Sequence, residues 1–204
     1  MSALGEVVPG IFSWGQLSEK FGYDFNGHLV LDGGGNLAVD PVALSTEDLA
    51  EVVRRGVARI VLTNRNHFRA AQALKEATGA RVAVHPADAA FGRAKGVVVD
   101  EDLVVGGRVG PFLIVDASGK SPGEVALHWP ERRLLIVGDA CVGPAPGRLG
   151  LLPEAVMDDR AALLRSLARI ATGVDFDTLL LGDGHSILAG GRAALAALVA
   201  SFPA

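Results

Sequence analysis

Several short apolar runs in this chain stop abruptly at a knot of polar residues. Ile60-Val61-Leu62-Thr63 ends in Asn64-Arg65-Asn66-His67-Phe68-Arg69, Leu134–Val137 ends in Gly138-Asp139, and Leu179–Leu181 ends in Gly182-Asp183-Gly184-His185-Ser186. A further polar loop, Ser118–Gly123, follows the run Phe112–Val115. Runs of this length, apolar on consecutive residues, read as strands covered on both faces. Such strands place their chemistry at the loops beyond their ends.

Helical segments lie between the runs. In STEDLAEVVRRG, Ser45 and Asp48 resemble a capping box, Leu49, Val52 and Val53 form an apolar stripe, and Gly56 can end the helix. HFRAAQALKEATG reads as a helix stopped by Gly79, and DDRAALLRSLARIATG as one capped by Asp158. GGRAALAALVASF reads as a closing helix. GHLVLDGGGNLAVDP reads as a hairpin around Gly33-Gly34-Gly35, residues 97–115 as a meander, and EVALHW with RRLLIVGD as a second hairpin. Each half is a sheet segment followed by covering helices, with no linker between them. The expectation is an α/β chain folded as one domain over residues 1–204, with two sheets face to face and helices outside.

Half the residues are hydrophobic, which suits a buried core rather than disorder. The formal charge is −4 with no basic block, so neither nucleic acid nor an anionic membrane is an expected partner. Cys141 is the single cysteine, so a reducing, cytoplasmic setting is expected. The first residues lack the charged and apolar regions of a signal peptide, and no apolar run approaches the roughly 20 residues of a membrane span.

The polar loops, in order, resemble the metallo-β-lactamase superfamily, including its glyoxalase II-like hydrolases. Asn64–Arg69 stands where that family carries His-x-His-x-Asp-His, and Lys120-Ser121-Pro122-Gly123 where it carries His-Ser-Pro-Gly. Gly138-Asp139 matches the family's Gly-Asp, and Gly184-His185 its terminal Gly-His. VDP at 39–41 and VHPADA at 84–89 also look like this family. The resemblance spans nearly the whole chain and implies a four-layer αββα sandwich.

It also implies a two-zinc centre, and here the sequence departs. The family's ligand positions fall on Asn64, Asn66, Lys120, Phe68, Arg69, Asp139 and His185, of which only Asp139 and His185 can ligate. Zinc sites take about three or four N, S or carboxylate ligands, and an arginine cannot coordinate. The expectation is therefore a degenerate zinc site, a pseudoenzyme with no zinc or other cofactor, in which Lys120 or Arg69 neutralises Asp139. The remaining polar cleft, with Asn64, Asn66, Arg69, Lys120, Asp139 and His185, would bind a small anion or partner. The alternative is an atypical hydrolase of a thioester, ester or similar substrate with one or no metal, in which His185 acts as base or Asp139 and His185 hold one weakly bound ion.

Blander roles stand beside these. Asn64 and Asn66 can be turn or cap residues, Arg69 and Lys120 a purely structural pair with Asp139, and His185 a hydrogen-bonded relic. His67 falls at a family position that binds no metal and reads as a surface or cap histidine. Cys141 reads as a buried inert thiol. The Gly/Pro-rich loop 141–157 suits a lid or a patch for self-association into a homo-oligomer.

Overall fold

The computed structural model describes residues 2–202. The chain begins with β1 (Ser2–Val8), β2 (Ile11–Ser18), β3 (Tyr23–Val30) and β4 (Leu37–Val39). Helix α1 (Thr46–Arg55), β5 (Arg59–Leu62), α2 (Ala71–Thr78), β6 (Arg81–Val84), α3 (Pro86–Ala94) and β7 (Glu101–Asp102) follow. These seven strands form one sheet in sequence order, antiparallel from β1 to β4 and parallel from β4 to β7. The second half supplies β8 (Arg108–Val109), β9 (Phe112–Asp116), β10 (Val125–Trp129) and β11 (Leu134–Val137). It ends with the small ribbon β12 (Val142–Ala145) and β13 (Arg148–Gly150), then α4 (Arg160–Gly173), β14 (Thr178–Leu181) and α5 (Gly191–Ala200). The second sheet has the order β14-β11-β10-β9-β8, with β14 parallel to β11.

The period-2 alternation of the strands produces four layers. Val61 and Ala83 join Leu127, Leu134, Ile136 and Leu180 in a core between the sheets. Their neighbours Ile60, Leu62, Val82 and Val84 face outward beneath α1 and α2, packing with Val52, Ala71 and Leu74. On the far side Leu135, Val137, Leu179 and Leu181 face Leu163, Leu167, Leu195 and Leu198 of α4 and α5. The strands are apolar at consecutive positions because both faces are covered. This is the expected αββα sandwich.

Several local readings hold. Ser45 caps α1 by accepting from Asp48 N at 3.1 Å, and Gly56 ends it with φ 78°. The hairpins β3–β4 and β10–β11 form as expected. Three readings are corrected. Helix α4 is capped by Asp159, which accepts from Ala162 N at 2.8 Å, rather than by Asp158. Helix α2 starts at Ala71, because the Asn64 side chain accepts from Asn66 N at 2.8 Å and folds the preceding residues into turns. Helix α3 went unread: Pro86 at its first position and His85 as its cap begin a short helix of weak periodicity. Among the described residues, no helix is long and apolar enough to cross a membrane.

Candidate functional site

The C-terminal ends of β4, β5, β11 and β14 meet at one edge of the sandwich, and each delivers a polar side chain. Asp40 follows β4, His67 follows β5, Asp139 follows β11 and Asp183 follows β14; all four are buried. Two glycines permit this convergence. A Cβ on Gly138 would sit 2.1 Å from Thr63 Oγ1, and one on Gly182 would sit 2.8 Å from His67 Cε1.

Asp40 anchors the group. One carboxylate oxygen accepts from Thr63 N at 2.8 Å and the other from Thr63 Oγ1 at 2.6 Å. Asp40 has φ 48°, a left-handed conformation that Asp tolerates better than most residues. Its Oδ2 lies 2.9 Å from His67 Nδ1, within ion-pair distance but without hydrogen-bond geometry. On the other side of the ring, His67 Nε2 lies 2.8 Å from Asp139 Oδ1. Burial opposes charge on His67, but the carboxylates of Asp40 and Asp139 outweigh it and hold the imidazole up at about 10.

Asp139 is held on its second oxygen as well. Lys120 Nζ lies 3.0 Å from Oδ2, and Asn66 Nδ2 donates to the same oxygen at 3.3 Å. Burial pushes the Asp139 carboxyl up, yet His67 and Lys120 together bring it well below the usual carboxylate range. Burial and the Asp139 charge push Asp183 up to about 7, and its Oδ1 has no hydrogen-bond partner. Glu124 is also buried. It accepts from Asn64 Nδ2 at 3.1 Å, while burial and then Asp139 raise its carboxyl well above the ordinary range.

A cleft of about 260 Å³ opens above Asp139. Asn66, Arg69, Lys120, Asp139 and Asp183 line one side, and Phe21, Phe25, Leu152 and Val156 the other. The Arg69 guanidinium stacks on Phe25, 4.3 Å from the ring centroid. Among the described residues Arg69 makes no ion pair or side-chain hydrogen bond.

Of the candidates from sequence, Asn66, Arg69, Lys120 and Asp139 therefore share the cleft. Asn64 is buried beneath it, its side chain spent on Asn66 N and Glu124. His185 is exposed and lies outside the cleft lining. Gly184, at φ 81°, turns the chain between Asp183 and His185, so the acid faces inward. Phe68 is buried in the helix-side core, where a Cβ on Gly92 would overlap its ring. Cys141 is buried, and burial with the nearby Glu124 pushes its thiol up to about 12. Asp40, Glu124 and Asp183 are not among the candidates from sequence, and His67 reads there only as a surface or cap histidine. The only signals were their places beside quoted motifs, in VDP, NRNHFR, SPGEV and GDGH.

The expectation that no zinc or other metal is held is corrected. His67, Asp139 and Asp183 each offer one ligand atom, and these atoms lie within 4.8 Å of one another. An imidazole, once an arriving cation displaces the proton that Asp40 and Asp139 hold on it, and two carboxylates make a donor set that could hold one zinc, manganese or iron ion. Asp183 Oδ1 is buried without a hydrogen-bond partner, so it is not already spent on another group. Neither His67 nor Asp183 falls at one of the family's ligand positions, so a count of those positions alone leaves both out. No second donor set exists among the described residues, since Asn64, Phe68, Arg69 and Lys120 cannot replace it.

A family model described as the metallo-beta-lactamase superfamily matches residues 3–202. The chain belongs to that superfamily. Among solved structures, TTHA1623 in a di-iron-bound form shares 25% identity, covers 88% of this chain and 96% of its own, and superposes with a TM-score of 0.68. A metallo-β-lactamase from Erythrobacter litoralis is 17% identical with a TM-score of 0.75, covering 98% of this chain and 96% of its own. The FIM-1 enzyme from Pseudomonas aeruginosa, in its mono-zinc form, is 16% identical at the same TM-score and the same coverage. These last two show the fold alone. No curated protein matches the chain.

Proposed function

We propose that this chain binds a small anionic molecule in the cleft above Asp139 and does not hydrolyse it. Arg69 carries the reading: an unpaired guanidinium, stacked on Phe25 at the mouth of a cleft, presents its donors to an incoming carboxylate or phosphate. The small cleft volume suits a compact ligand. The groups at the family's ligand positions have other duties. Asn64 and Asn66 shape the loop, Phe68 fills the core, and Lys120 neutralises Asp139. One divalent ion on His67, Asp139 and Asp183 would add its positive charge to the floor of this cleft.

A second reading rests on that same trio and on the di-iron-bound relative at 25% identity. It is a hydrolase of a thioester, ester or related substrate working with one ion, which would supply an activated water. Calorimetric titration of small carboxylates and inorganic phosphate, with and without zinc, manganese or iron, separates the readings. Binding that weakens about tenfold in Arg69→Gln, with no turnover of thioesters or esters, supports the first. Turnover that is lost in His67→Gln establishes the second.

A further inference from the structure

A cavity of about 410 Å³ lies beside the cleft, between α2 and the end of α3. Arg65, Arg69 and Lys95 border it, with Gln72, Phe91 and Val97, and no carboxylate lines it. Arg65 is committed to Asp158, whereas Lys95 makes no ion pair among the described residues. Phe91 is 41% exposed, and two cations flank it. Arg65 lies 5.8 Å and Lys95 5.4 Å from its centroid. The chain as a whole is acidic, so three cations around one hollow run against its average.

From this geometry we infer that the cavity is a second subsite, for a phosphate or pyrophosphate group carried on a planar ring. The ring stacks on Phe91 and the phosphate oxygens take Lys95 and Arg69. A phosphate accepts charge-assisted hydrogen bonds from both side-chain types, and an exposed phenylalanine face is sequence-tolerant toward any flat ring. Arg69 and Asn66 border both hollows, so one elongated ligand can span them. The inference rests on the anion-binding reading for the first hollow, but its residues Phe91 and Lys95 lie outside that cleft.

The test is titration of the whole chain with AMP, ribose 5-phosphate and inorganic phosphate, followed by backbone amide shifts. The expected result is a set of shifts on Gln72 and on Phe91–Val97, with AMP binding more tightly than ribose 5-phosphate. Lys95→Met and Phe91→Ala, both at exposed positions, each weaken AMP about tenfold while leaving inorganic phosphate in the main cleft unchanged. Shifts confined to Asn66, Lys120 and Asp139 overturn the subsite and leave the anion-binding reading standing. No shift in either hollow overturns both. Equal affinity for AMP and ribose 5-phosphate overturns the stacking on Phe91, and with it the proposal.

Discussion

Lys120 Nζ stands 3.0 Å from Asp139 Oδ2, and both side chains are buried. That contact ends a line of alternating charge: Asp40, His67, Asp139, Lys120. Each buried charge has a neighbour of opposite sign, which is what makes four ionisable groups tolerable in one small volume.

Removing one member of a buried pair leaves the other uncompensated, at a cost of about 3–5 kcal/mol. His67 still neutralises Asp139 when Lys120 is lost, so Lys120→Met should destabilise by about 3 kcal/mol, at the low end of that range. Urea unfolding measures it. Unchanged or raised stability would show that the lysine is not needed to hold the carboxylate.

Asp40 holds the other end of the line. Asn tolerates the left-handed backbone at this position at least as well as Asp, so Asp40→Asn tests the charge and not the turn. Nδ2 of the new amide cannot accept from Thr63, and the negative charge opposite His67 is gone. The expected loss is about 2 kcal/mol in unfolding experiments, from hydrogen bonds to a charged group. A variant as stable as the parent would mean that Asp40 and His67 do not interact across their 2.9 Å gap.

His28 supplies the pH dependence. Burial pushes its imidazole down to about 4, against the opposing pull of Asp40, with the His67 charge adding to the depression. Ser13 Oγ lies 2.6 Å from Nδ1 and Leu181 O lies 3.2 Å from Nε2, which assigns the neutral tautomer protonated on Nε2. The folded state thus disfavours the proton that the unfolded chain binds below its ordinary value of 6.5. The His28 contribution is complete above that value and declines as pH falls toward 4, by about 1.4 kcal/mol per pH unit. His28→Gln keeps an acceptor and a donor but cannot titrate. Urea midpoints between about pH 7 and pH 5 should fall more steeply for the parent than for the variant. Parallel slopes would contradict this account.

The fold was legible because buried strands and their end-loops leave a strong pattern. Ile60–Leu62, Leu134–Val137 and Leu179–Leu181 read as strands covered on both faces, and in the fold their polar ends converge. The membership of the site was not legible at the same level. His185 carried the family motif, but one left-handed glycine decides that Asp183 and not His185 turns inward. His67 read as a surface or cap residue because it falls at a family position that binds no metal, and in the fold its neighbours Asn66 and Arg69 are exposed. Only the turn set by the Asn64 side chain swings it beneath them. Single-residue turns leave no periodicity to read.

The trio His67, Asp139 and Asp183 makes a quantitative prediction about metals. One donor set gives one ion, so protein stripped by a chelator and reloaded with zinc, manganese or iron should retain one equivalent. A bound ion also raises the melting temperature by linkage, which gives a readout independent of any activity. His67→Gln and Asp183→Asn should each abolish both retention and the thermal shift. Lys120→Met should do the opposite. It removes a full positive charge 3.0 Å from a ligand carboxylate, so affinity should rise by about tenfold even though the protein without metal is less stable. Two equivalents would reveal a second donor set that the described residues do not contain. None would leave Lys120 and His67 as the permanent counter-charges of Asp139.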